Sequence, residues 1–203
     1  MAALFANILA KGIRQGQVPA RTSIAREWYR MQARGIKKNP DIVQNKIIQE
    51  KKKTSLESKI RIGNMYMFSY EAKHKDTLPY YDAFPLIFPI GLAKGGFLGI
   101  NLHYLPPQLR AVLMDELYKN LNNERYDENT RVKISYELLN SAANFKEFKP
   151  CIKHYLNAQL KSRFIYVAPD EWDIALFLPS AKFIGASKQK VYADSRKIIT
   201  GRK

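Results

Sequence analysis

Cysteine is nearly absent from this chain of 203 residues, where Cys151 stands alone. That excludes an internal disulfide framework and any zinc site built on several cysteines. It fits a reducing compartment, and a cysteine-poor extracellular particle equally well. Long hydrophobic runs are missing too. The N-terminal MAALFANILAKGIRQG has a short apolar patch, with no basic segment before it and no long uncharged stretch. Neither a signal peptide nor a membrane span is expected from it. The common catalytic signatures are also missing: there is no Walker loop, no HExxH and no GxSxG. No internal repeat or low-complexity tract is present.

Acidic residues are scarce, 18 against 34 Lys and Arg, and the net charge is +16. Residues 1–62 hold 14 basic against 4 acidic groups (+10), residues 63–145 hold 8 against 9 (−1), and residues 146–203 hold 12 against 5 (+7). A neutral middle thus lies between basic flanks. Such charge speaks of partners and solubility rather than fold, and points to nucleic acid, an acidic protein surface or an anionic membrane. The membrane is the weakest of these, since the basic segments carry no long apolar face or acyl signal. Hydrophobic content of 46% and aromatic content of 12% argue for a packed core. The length suits one domain, or one domain with long arms.

Gly63 to Tyr104 organises the chain. Met65–Tyr70, Phe84–Ile90 and Phe97–Tyr104 are short apolar, aromatic-rich runs separated by Gly, Pro and Asp, the pattern of antiparallel strands. They alternate only in part, so both faces are expected to be covered, as in a small closed barrel. Gly95, Gly96 and Gly99 suit a tight turn and a bulge in the third strand. Upstream, Thr22 or Ser23 caps a helix to about Arg34, placing Arg26, Arg30 and Arg34 in a basic stripe. This stripe reads either as a face laid on phosphates or as a solvated surface. Residues 37–62, with Lys37, Lys38 and Lys51–Lys53, read as a linker or an arm that orders on binding. Downstream, Pro106 and Pro107 open a helix over Gln108–Leu121. Helices are expected over Arg131–Ala143, whose first residues alternate and also suit a strand, and over Cys151–Arg163, with a strand over Phe164–Val167, a short helix from about Asp170 to Leu178, and a basic tail from Lys182.

Few residues suggest chemistry. His74 sits in a charged loop, and His103 reads as a satisfied core or interface histidine. Cys151 and His154 lie three apart and form a conceivable nucleophile pair, against the commoner reading of Cys151 as an apolar core residue. Glu71, Asp76 and Asp82 surround LPYYD. They suit acid–base work or a metal, while the plainer reading has Asp82 bonding backbone in a turn before Phe84-Pro85. Tyr80 and Tyr81, with Tyr66, Phe68, Tyr70 and Tyr104, suit base stacking on a strand surface or, alternatively, a barrel core.

The pattern GNMYMFSYEAKHKDTLPYYDAFPLIFPI, then GGFLGINLHYLPP, FKPCIKHYL and EWDIALFLP, resembles a virion-associated protein of T4-like contractile-tailed bacteriophages, including those of marine and cyanobacterial hosts. The resemblance covers Gly63 to Arg196 and carries no functional residues across. It implies a structural or DNA-associated part of the particle, made in the bacterial cytoplasm and incorporated into the virion. Three strands followed by a helix are also similar to SH3-like small barrels, some of them toxin ribonucleases, but no catalytic pair accompanies them here.

The expected architecture is therefore α+β: a small antiparallel barrel or sheet, SH3-like at best, with packed helices. A basic helical arm and linker (1–62) precede the core domain (63–203) and its basic tail. The favoured function is a non-enzymatic structural component of the tail, baseplate or neck, its arms holding neighbouring virion proteins with acidic surfaces. The alternative is a sequence-nonspecific protein binding double-stranded DNA, acting on the genome or its ends during packaging. Contacts are expected from Arg26, Arg30, Arg34, Lys37, Lys38, Lys51, Lys52, Lys53, Lys188, Lys190, Arg196 and Lys197. No catalytic residue, metal, cofactor or membrane is expected.

Overall fold

The aromatic-rich block does form antiparallel strands, and segments from both ends of the chain join them. The computed structural model describes residues 56–121, 136, 137, 139–141, 146–167, 172–177 and 180–201, with two isolated positions, 10 and 14. The strands are β1 (Leu56–Glu57), β2 (Met65–Met67), β3 (Tyr81–Asp82), β4 (Leu86–Ala93), β5 (Gly96–Asn101), β6 (Ile152–Leu156), β7 (Phe164–Val167) and β8 (Phe183–Ile184). The longer helices are α1 (Pro107–Leu121), α2 (Trp172–Phe177) and α3 (Lys188–Thr200). Six strands pair antiparallel in the order β1-β7-β2-β4-β5-β6, and β3 pairs with β8 separately.

Hairpin β4–β5 turns at Lys94 and Gly95, where Gly95 has φ 73°, a backbone setting suited to glycine. Gly96 opens β5 so close to β6 that an added Cβ would lie 1.8 Å from the carbonyl oxygen of Tyr155. The register slips between Pro89 and Gly91. The bulge therefore lies in β4, not at Gly99 in β5 as the glycines suggested. Pro89 has no N–H for the ladder, and an irregularity is where a sheet tolerates that.

Both faces of the sheet are covered, but no barrel closes. Among the described residues, outer strands β1 and β6 do not pair with each other. One face carries Met65, Met67, Leu86, Phe88, Ile100, Ile165 and Val167, packed with Ala111 and Met114 of α1, Trp172 and Leu176 of α2, and Val191 of α3. The opposite face is an aromatic cluster centred on Phe68, whose ring meets Tyr70, Phe97, Tyr155 and Phe164 edge-on at 5.2–6.2 Å. Such ring pairs each add about 0.5–1.5 kcal/mol beyond area burial. Helices on one side and aromatic rings on the other make the incomplete alternation intelligible without closure.

Two further expectations fail. Residues 151–163 are not a helix: Pro150 lies within a 3₁₀ segment, Lys146–Cys151, and β6 follows. The spacing of Ile152, Tyr155, Leu156 and Leu160 imitates a helical face. Pairing of β6 with β5 decides instead, setting Tyr155 opposite Phe97 with their rings stacked at 5.5 Å. Nor are residues 183–200 a loose tail. Strand β8 pairs with β3, and α3 docks through Val191 and Ser195, capped by Ser187 at its start and by left-handed Gly201 at its end. Arg110 on α1 ties these parts together. Its guanidinium donates to the carbonyl oxygens of Leu105, His103 and Leu176 and to the Tyr192 hydroxyl of α3.

Candidate nucleic-acid interface

Four donors converge on the carboxylate of Asp82 at the end of β3. Oδ1 accepts from the backbone N–H groups of Phe84 and Lys182, both at 3.1 Å. Oδ2 accepts from Asn101 Nδ2 at 3.1 Å and from His103 Nδ1 at 2.6 Å. The other imidazole nitrogen, Nε2, lies 3.2 Å from Ser180 Oγ. Carboxylate, imidazole and hydroxyl thus stand in the order of a hydrolase triad. Yet His103 and Ser180 are 0% exposed, and no substrate reaches the serine oxygen in this arrangement. The group is a buried polar clamp joining β3, the 3₁₀ turn Leu102–Tyr104 and the segment leading to β8. The readings of His103 as a satisfied core histidine and of Asp82 as a turn-bonding carboxylate both agree with it. Ser180 was not foreseen, since nothing in sequence marks a serine 77 positions from its partner.

Burial works against the Asp82 charge, but the His103 ring, Asn101 and the Phe84 N–H outweigh it, so its pKa lies below the usual carboxylate value. Burial likewise drives the His103 pKa below that of ordinary histidine. Asp82 opposes this, and the positive charges of Arg110 and Lys188 add to it. The consistent state is ionised Asp82 accepting from the Nδ1–H of a neutral imidazole.

Beside this clamp an open cleft of about 370 Å³ is lined by both aromatic and basic groups. Tyr70, Ala72, Asp82, Tyr104 and Tyr155 of its lining are buried. Lys153 and His154 enter from β6; Lys73, His74 and Leu78 come from the loop before β3; Tyr80 and Tyr81 come from the start of β3. The Lys153 ammonium lies 4.1 Å from the centre of the Tyr104 ring, within cation–π range. Burial holds its pKa below that of an ordinary lysine. Tyr104 in turn meets Phe183 of β8 edge-on at 5.1 Å and Tyr80 at 6.1 Å. The aromatic residues singled out in sequence therefore divide. Tyr66 and Phe68 are fully buried in the sheet, whereas Tyr70, Tyr80, Tyr81 and Tyr104 share this cleft.

Of the expected contact residues, Lys188, Lys190, Arg196 and Lys197 lie on α3. Lys188 is half-buried and the other three are exposed. Lys190 and Lys197, seven apart, share one face of the helix, away from the buried Val191 and Ser195, and Lys190 pairs with Asp194 at 3.1 Å. Arg26, Arg30, Arg34, Lys37, Lys38, Lys51, Lys52 and Lys53 lie outside the described residues. Cys151 and His154 do not form a pair: the thiol is in the core, its pKa pushed up to about 12 by burial, while His154 is exposed. Among the described residues no group of three or more His, Cys, Asp or Glu is placed to hold a metal, and no helix is long and apolar enough to cross a membrane.

Fold and surface together define a mixed α+β protein with cationic faces and an aromatic cleft. A model of the phage T4 terminal DNA protecting protein family matches residues 20–200, and the chain belongs to that family. No curated protein and no solved structure matches the chain. The resemblance to a T4-like phage protein is thus upheld. The favoured function is overturned: a family described by protection of terminal DNA is not one of tail, baseplate or neck components, and the alternative reading takes its place.

Proposed function

We propose that this protein is a non-enzymatic, sequence-nonspecific DNA-binding protein that holds the ends of a linear phage genome and enters the virion with it. The observation that carries this is the family match over residues 20–200, a family described by protection of terminal DNA. The net charge of +16 and its concentration in the flanks support it, because phosphate contacts supply nearly all nonspecific affinity. Contacts come from Arg26, Arg30, Arg34, Lys37, Lys38 and Lys51–Lys53 in one flank. Lys190, Arg196 and Lys197 of α3 supply the other, and Lys188 at the helix start adds its charge. No catalytic role goes to Asp82, His103 or Ser180, whose enclosure suits a structural clamp.

A salt titration of binding to linear duplex and to a closed circle of the same sequence tests this. The expected result is tighter binding to the linear form and an affinity that falls steeply with salt, by about 10³–10⁵ between 50 and 200 mM for six to ten phosphate contacts. Equal binding to both forms would remove the preference for ends and leave general DNA affinity. Absence of binding near physiological salt would overturn the reading.

A further inference from the structure

We propose that the cleft between β6 and the loop before β3 takes an unpaired nucleotide at the DNA terminus, with its base against Tyr80 and its phosphate at Lys153. This rests on the end-binding reading above and names the form of DNA end that the protein grips.

Size comes first. A cleft of about 370 Å³ is in the range of single small-molecule sites. A site of that volume is filled by a ligand of about nucleotide size and is too small for a base-paired end. Whatever part of a DNA end enters is therefore no more than a nucleotide or so, and it must be unpaired.

The chemistry inside suits that ligand. Single-stranded nucleic acid is held by aromatic faces for bases and cations for phosphates, with little dependence on sequence. Tyr80 is half-buried and lines the cleft. Tyr104 and Phe183 back it at centroid distances of 6.1 and 6.4 Å, which fixes the platform.

Lys153 is the informative cation. Lys75 and Lys161 share the carboxylate of Glu71, whereas Lys153 has no carboxylate partner among the described residues and rests over the Tyr104 ring. Its charge is held where burial opposes it, and a phosphate oxygen would supply the missing counter-charge. Lys73, His74 and His154 stand exposed at the mouth of the cleft. The Asp82 carboxylate on the floor already accepts from four donors. The paired part of the DNA then stays outside. Helix α3 adjoins the cleft there, since the Asp194 carboxylate is near enough to Tyr80 to add, after burial, to the rise of its hydroxyl pKa.

The test compares duplexes closed by a hairpin at one end, the free end being blunt or carrying a short unpaired 5′ or 3′ tail. Binding of the full-length protein is read by fluorescence anisotropy. A tail of at least one polarity is expected to strengthen binding about tenfold, the scale of one stacked base. Tyr80→Ala and Lys153→Gln should each bring the ratio of tailed to blunt affinity down to about one. Tyr80→Phe should keep the advantage, which separates stacking by the ring from any contribution of the hydroxyl. Equal affinity for blunt and tailed ends would overturn the cleft assignment while leaving end binding intact. So would an advantage that survives both Tyr80→Ala and Lys153→Gln. Failure to prefer a free end to a doubly closed duplex would remove the parent reading, and this one with it.

Discussion

Asp82 and His103 show what a single buried polar pair does in this fold. Neither could be left alone in the core, because an uncompensated buried charge or an unmatched imidazole is costly. Together with Asn101, Ser180 and two backbone N–H groups they satisfy one another. Asp82→Asn removes the charge that the surrounding donors are arranged for, and is expected to destabilise the protein by about 1–3 kcal/mol, read as a lower urea midpoint. The same pair sets a pH dependence. His103 has a folded pKa below its ordinary 6.5 and Asp82 one below its ordinary 3.8, so each binds fewer protons folded than unfolded. Stability from both is fully present above 6.5; it begins to fall as pH drops through the histidine value, and Asp82 adds a second loss below 3.8. Urea midpoints measured across that range should decline toward acid in the wild type. In His103→Gln the loss in the histidine window should vanish. A decline there that is unchanged in His103→Gln would mean that another group governs it.

At the scale of elements, β6 is the segment that sequence periodicity misplaced, and it is also the wall that carries Lys153 and His154. It is an edge strand held by β5, and the two backbones close up because Gly96 has no side chain. Gly96→Ala would place a methyl group 1.8 Å from the Tyr155 carbonyl oxygen, which forces the strands apart. The expected result is faster amide hydrogen exchange across β6 and loss of global stability, with the β2–β4 pairing exchanging as before relative to the global limit. Uniform protection retained in β6 would show that the strand does not depend on this close approach. The strands of the 63–104 block were legible because their runs are short, aromatic and bounded by Gly and Pro. Helix α1 was legible because Pro106 and Pro107 announce it. Strand β6 was not, since five residues of mixed pattern take their state from their neighbour.

At the scale of the whole molecule, charge is laid out around a neutral core, and α3 belongs to the folded body rather than to a trailing arm. That difference matters for binding. Cations on a docked helix lose little freedom when they meet phosphate, so their contacts carry a smaller entropic cost than those of an unanchored segment. Replacing Lys190, Arg196 and Lys197 together by Gln should flatten the salt dependence of DNA binding, by about 0.9 in the log–log slope for each phosphate no longer neutralised. Replacing Lys51–Lys53 by Gln measures the other flank in the same way. An unchanged slope in the α3 variant would remove that helix from the interface.

Sequence alone determined the mixed α+β class, the main strands, the basic flanks and the likeness to a T4-like phage protein, because these depend on composition, local periodicity and punctuation. It also brought forward Tyr70, Tyr80, Tyr81 and Tyr104 as aromatic candidates, without distinguishing them from Tyr66 and Phe68. Only the tertiary structure decided which of those rings line the cleft, that Lys153 joins them, and that Asp82, His103 and Ser180 form one enclosed cluster. Those are long-range facts. They follow from which strand lies beside β5 and which segment pairs with β3, and no local pattern encodes a choice of neighbour.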